Sequence, residues 1–243
     1  MKIYFDNNIF ISIEEGEIDF FSVKDKYVRD YFIYSYAHIQ ELLEAEKDKE
    51  SLIKKRLRTI SFITENYYVF ADTYTINFKT EDPLKVVNHF NETILVTTLL
   101  RIAAKNFNAD REKLIKLFEI DTKKINNYEP EELIKNLDEV IRRVMNVSLK
   151  GYIDKAGSTF RDNVNTTFNL LDLIGFWKDK KTKKSNLART YDAAHTFFAS
   201  ACDIFVSNDE RARYKAKFIY TLYNVTTKVL SYDEFVNYYI TSH

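Results

Sequence analysis

Short β-prone runs separated by helical periodicity occupy both ends of this chain, and that alternation restricts its fold more than any other feature. Lys2–Phe5 is a brief apolar run ending at Asp6, Asp30–Ser35 (DYFIYS) is an aromatic and β-branched one, and Tyr67–Ala71 (YYVFA) is a third. Between them, YAHIQELLEAEKDKE and SLIKKRLRTISFITEN carry apolar residues at helical spacing, among them Leu52, Ile53, Leu57, Ile60 and Ile63. The order strand, helix, strand, helix, helix, strand predicts a parallel sheet with crossover helices. The tail returns to the same alternation: helix NLARTYDAAHTFFASA, strand CDIFVS, helix DERARYKAKFIYTLY, strand VTTKVLS, helix YDEFVNYYI.

The middle of the chain is different. From about Thr75 to Lys184 the periodicity is helical throughout, in PLKVVNHFNETILVTTLLRIAAKNF, DREKLIKLFEI, PEELIKNLDEVIRRVMNVSLKGYI and RDNVNTTFNLLDLIGFW, and no strand signal stands out. Only 4 glycines and 2 prolines in 243 residues leave few inexpensive turns, which favours long helices. The expected fold class is therefore α/β, a central parallel sheet assembled from residues 1–75 and 185–243 and interrupted by an all-helical insertion at 76–184.

Charge narrows the function classes. The 36 basic and 36 acidic side chains cancel, so no global field attracts nucleic acid, and an anionic partner would need a local patch. No segment approaches the roughly 20 apolar residues of a membrane span, and acidic residues interrupt the opening apolar run before it resembles a leader. With a single cysteine, Cys202, inside an apolar run, a reducing, cytoplasmic setting is expected.

Four acidic residues occupy matching positions. Asp6 ends the first strand, Glu41 lies on the helix after the second, Asp192 on the helix before CDIFVS, and Asp209 just past that strand. In a parallel sheet the strand carboxyl ends share one edge, so Asp6 and Asp209, about 200 residues apart, are expected to face one crevice. Carboxylates gathered there repel one another unless a cation compensates, and hard oxygen ligands suit Mg²⁺ or Mn²⁺. Each acid also has a purely local explanation: Asp6 as a helix N-cap, Glu41 as a solvent-facing residue with Glu44 as its rival, Asp192 near a helix start. Ser207 with Glu210 fits an S-x-x-E capping box, as does Ser231 with Glu234, and capping by Ser207 leaves Asp209 to point toward Asp6.

At these residues the chain resembles the PIN-domain nucleases. IYFDNNIF is similar to their opening strand with its Asp-x-Asn step, here Asp6 and Asn8; SYAHIQELLE looks like their Ser followed by a helical Glu, here Ser35 and Glu41. YDAAHTFFASACDIFVSNDERARYKA resembles the Asp-led helix, strand and Thr/Ser-x-Asp step, placing Asp192, Ser207 and Asp209, and TTKVLSYDEFV is similar to the closing strand and helix. The resemblance implies a three-layer PIN-like domain in which Asp6, Glu41, Asp192 and Asp209 act as catalytic residues holding Mg²⁺ or Mn²⁺. Asn8, Ser35 and Ser207 would orient those carboxylates. It implies an endoribonuclease of toxin, RNA-processing or defence type. RNA would be its substrate, with DNA open, and an antitoxin, another protein or a second copy its partner through the insertion. The alternative is a PIN-like module without catalysis, whose helical insertion is a partner surface.

Basic residues supply candidates for phosphate contact. Arg211, Arg213 and Lys215 follow Asp209, and WKDKKTKK (Trp177–Lys184), with Lys180 and Lys181, is the one dense basic run. Both stretches are read equally well as a solvated helix face and a solvated loop. Arg189 and His195 form an R-x5-H pair that resembles the ribonuclease motif of the all-helical HEPN domains, against which the strand-like ends of the chain argue.

Overall fold

A computed structural model describes residues 1–20, 30–46, 49–72, 75–90, 124–178 and 183–242. Among them the fold is α/β, with one six-stranded mixed sheet and ten α-helices. The chain divides into two compact units: Met1–Ile94 with Phe198–Arg213 and Thr227–His243, and Leu95–Phe197 with Tyr214–Thr226. No helix of the described residues is long and apolar enough to cross a membrane.

The first unit contains the sheet. Its strands are β1 (Lys2–Phe5), β2 (Tyr31–Ser35), β3 (Tyr67–Ala71), β4 (Ile76–Thr80), β5 (Ile204–Val206) and β6 (Lys228–Leu230), in the order β4-β3-β2-β1-β5-β6. β1 is central because its side chains are apolar on both faces: Ile3, Tyr4 and Phe5 are fully buried. It runs parallel to β2 (Ile3 beside Phe32, Tyr4 beside Ile33) and to β5 (Ile3 beside Ile204, Phe5 beside Val206). Alternation then sorts the strands. Ile3, Phe5, Phe32, Tyr34, Ile204 and Val206 form one cluster with residues of α1 (Asn7–Glu14), α2 (Tyr36–Ala45), α3 (Glu50–Thr64) and α10 (Tyr232–Ser242). Phe5 sits at its middle, in ring contact with Phe10, Phe20, Phe32 and Phe235.

One strand departs from the sequence reading. β4, placed where only helical character is expected, pairs antiparallel with β3 from Tyr67 beside Thr80 to Ala71 beside Ile76, so the sheet is mixed rather than parallel. It escaped notice because an edge strand needs little apolar pattern, and Asn77, Lys79 and Thr80 dilute what there is. Asp72 organises the connection, accepting from the Thr75 amide and hydroxyl. α4 (Pro83–Phe90) follows; the helices expected over residues 91–123 lie outside the described residues.

The second unit contains α5 (Pro130–Met145), α6 (Leu149–Ala156) and α7 (Phe160–Ile174), and shares α8 (Lys183–Ala199) and α9 (Glu210–Tyr223) with the first. The single helix suggested by PEELIKNLDEVIRRVMNVSLKGYI is two, since Asn146 adopts a left-handed φ of 54° and Ser148 caps the next turn through the Gly151 amide. α7 begins with a reciprocal box in which Thr159 accepts from the Asp162 amide and Asp162 accepts from the Thr159 amide. Partial burial pushes the Asp162 carboxyl up, but hydrogen bonds from Thr159 and Ser158 outweigh it and hold the group below the usual carboxylate range. A carboxyl depressed on folding contributes stability above its unfolded value, about 4, which is lost as pH falls through the folded value. Urea unfolding should therefore show that Asp162→Asn flattens the acid-side fall in stability below about pH 4, while Thr159→Ala costs about 1 kcal/mol at neutral pH.

Candidate metal centre at the carboxyl edge of the sheet

β1 and β5 are the neighbours at which the strand order reverses, and in open α/β sheets the crevice beyond such a pair is where ligands bind. Asp6 stands at the end of β1 in that position and is 6% exposed. Its backbone amide still belongs to the sheet, donating to Val206 O. Its side chain caps α1 through the Asn7 amide, as the local reading holds, but capping engages only Oδ1. Oδ2 receives two further donors at 2.6 Å, Asn8 Nδ2 and Ser207 Oγ. Asn8 also reaches Ser207 Oγ at 3.0 Å and accepts from the Asn208 amide, which closes a ring of polar contacts over the β1–β5 seam. Asn208 Oδ1 in turn accepts from the Tyr232 amide at the start of α10.

Glu41 comes to the same place from α2. It is half-buried, whereas its rival Glu44 is exposed. One carboxylate oxygen of Asp6 and one of Glu41 lie within 4.8 Å of each other. The residue that aims Glu41 is Asn7, whose Nδ2 donates to Glu41 Oε2 and more weakly to His38 O at 3.4 Å. Sequence reasoning passed over Asn7 in favour of Asn8; in fact consecutive asparagines at the start of α1 serve different carboxylates.

Ser35 does a different job from the one expected. It caps α2 through the Ala37 amide and bonds Tyr4 Oη at 2.7 Å, while its own amide donates to His38 Nδ1 at 2.9 Å. With Nδ1 an acceptor, Nε2 is the protonated nitrogen, and it donates to Phe5 O at 2.6 Å. The buried group Tyr4, Ser35 and His38 thus fixes the residue immediately before Asp6. A capping box with His at its third position was legible as S-x-x-H, although the pattern usually sought ends in Glu or Gln.

Asp209, not Ser207, caps α9: its Oδ1 accepts from the Arg211 amide at 2.8 Å and the Ala212 amide at 3.2 Å. Ser207, fully buried, turns inward to Asp6 and accepts from the Asp209 amide. The hydroxyl can satisfy a buried carboxylate, and the exposed acid gains more from the helix N-terminus. The true S-x-x-E box is the other one, where the Ser231 amide donates to Glu234 and the Glu234 amide to Ser231 Oγ.

Arg211 is exposed, and Arg213 lies at the sheet edge, donating to Ser207 O at 2.8 Å. Lys215 belongs to the second unit and is fully buried, its ammonium 2.7 Å from Asp172, which also receives Arg189. An ammonium so enclosed offers no surface charge to a phosphate. Asp192, half-buried, and His195, 1% exposed, lie on α8 in that same unit. Trp177 stacks on Tyr214 with centroids 4.4 Å apart, so one face of its ring is taken. Lys180 and Lys181 lie outside the described residues. Burial pushes the Cys202 thiol far above its ordinary value, which leaves it unreactive.

Comparison with family models, curated proteins and solved structures gives no match. The polar lattice beneath Asp6 is measurable by itself: Ser35→Ala should lower stability by about 1–3 kcal/mol in urea denaturation, because buried Tyr4 and His38 lose a partner. Glu44→Ala, on the exposed side of the same helix, should stay within about 0.5 kcal/mol.

Proposed function

We propose that the chain is a metal-dependent endoribonuclease of PIN-like type, a three-layer domain whose helical middle is an insertion. The observation that carries this reading is the convergence of Asp6 and Glu41 within 4.8 Å, one of them 6% exposed, at the topological switch point of the sheet. Two carboxylates that close repel each other in a poorly solvated crevice unless a proton or a cation intervenes. Both carboxylates offer hard oxygens, which suit Mg²⁺ or Mn²⁺. Asp6 and Glu41 would hold the ion; Asp192 and Asp209 are the further ligands that the resemblance implies. When bound, such an ion supplies a hydroxide nucleophile at neutral pH and offsets charge on the phosphate.

The chain's own contribution is orientation. Ser207 and Asn8 donate to the same oxygen of Asp6, which fixes the plane of that carboxylate, and Asn7 orients Glu41 in the same way. Arg213 holds a guanidinium at the edge, where a phosphate displaced toward α9 would meet it. RNA hydrolysis at this site would leave a 5′-phosphate and a 3′-hydroxyl. One observation favours a second reading, a binding module without catalysis: Asp209 commits an oxygen to capping α9, which weakens it as a metal ligand.

Calorimetric titration with Mn²⁺ separates the two. The native chain should show a binding event that Asp6→Asn and Glu41→Gln abolish and that Ser207→Ala weakens about 10–100-fold; Asp192→Asn reports on the fourth carboxylate. Binding that persists undiminished in Asp6→Asn would rule the nuclease out. Metal binding without cleavage of labelled RNA, together with harmless overexpression of the native chain, would leave the binding module.

A further inference from the structure

We propose that the outer face of α3 is a docking strip for single-stranded RNA, an inference that rests on the nuclease reading and names the path by which substrate reaches the site. Ser51, Lys54, Lys55, Arg58, Thr59 and Phe62 recur at the three- and four-residue spacing that puts side chains on one face of a helix. With Ile63 they line an open hollow of about 500 Å³.

Three properties of this face fit a polyanion carrying aromatic bases. The first is charge that can be exchanged. Lys54, 57% exposed, pairs with Glu50, itself 82% exposed, while Lys55, 63% exposed, reaches Glu14, whose side chain is 6% exposed. A pair as exposed as Lys54–Glu50 contributes little, so a phosphate can replace that carboxylate at small cost. Arg58 is exposed and has no ion pair among the described residues. The second is Phe62, at 59% the most exposed large apolar side chain among those residues. An exposed phenyl ring on a cationic face is a stacking platform for a base, and only an unpaired strand presents one. An acidic peptide would meet the cations but leave the ring unused.

The third is position. Thr59 lines both this hollow and a smaller cavity of about 50 Å³ whose wall includes Asn7, Glu41 and Arg56. The cationic face therefore continues, across one residue of α3, into the wall formed by the residue that aims Glu41. A strand laid along α3 would lead its backbone toward the two carboxylates.

Fluorescence anisotropy of a labelled oligouridylate of about 12 nucleotides, in EDTA so that no cleavage occurs, tests this. Lys54→Glu/Arg58→Glu should bind at least about 10-fold more weakly and reduce the slope of log K against log salt by about 1.4, two single-strand phosphate contacts. Phe62→Ala should weaken binding about 10-fold with the slope unchanged. All three positions are exposed, so the thermal midpoint should not move; Lys54→Gln/Arg58→Gln serves where charge reversal disturbs it. Mn²⁺ binding should be native in these variants, while Asp6→Asn should lose Mn²⁺ and keep RNA. Thus an intact strip with a failed metal site is distinguished from the reverse. Native RNA affinity in both charge variants would overturn the proposal. So would tighter binding of a single-stranded DNA oligomer of the same length or of polyglutamate, or a dimer that Phe62→Ala dissolves.

Discussion

A carboxylate that is 6% exposed must be fed hydrogen bonds, and the requirement of Asp6 organises the edge of this sheet. Its donors come from segments almost 200 residues apart: Asn7 and Asn8 at the start of α1, and Ser207 after β5. They meet only because β5 lies beside β1 in register, with Phe5 opposite Val206. The apolar strands thus supply the alignment, and the polar ends use it. From the other flank, His38 ties α2 to the carbonyl of Phe5, so the backbone at Asp6 is held by β5 on one side and α2 on the other.

The second unit solves a related problem with opposite sign. Lys215 is fully buried, and its ammonium is satisfied by Asp172 and lies 5.6 Å from the centre of the Phe168 ring. Asp172 accepts Arg189 through its other oxygen. Loss of Asp172 would take a hydrogen-bond partner from two cations at once, and enclosed charge tolerates that poorly.

Much of this was legible because it follows from period. Strand runs of two-residue alternation and helices of three- and four-residue spacing gave the α/β order, and chain direction put the residues that follow β1 and β5 on the same edge. Hydrogen-bond partners were not legible, since they depend on atoms rather than residue classes. Ser207 and Asp209 differ by two positions, and which one caps α9 is decided by burial: the hydroxyl fits inside against Asp6, and the acid stays out. Asn7 and Asn8 are identical in type, and only the turn of α1 sends one to Glu41 and the other to Asp6. β4 hid for another reason, because at an edge the apolar pattern that announces a strand is not required.

That edge has a consequence for assembly. An open sheet ending in an unpaired strand is a template on which a second chain can add a strand of its own. β4 carries Lys79, whose ammonium lies 5.2 Å from the centre of the Phe70 ring and 5.7 Å from that of Tyr68, with Glu81 bonded to it at 3.0 Å. A strand arriving alongside would have to strip water from this charged pair before making its first backbone bond. At the opposite margin β6 is only three residues long, Lys228–Leu230, and offers too short a ladder to hold a newcomer. Among the described residues, neither margin of the sheet thus offers a favourable ladder for β-addition.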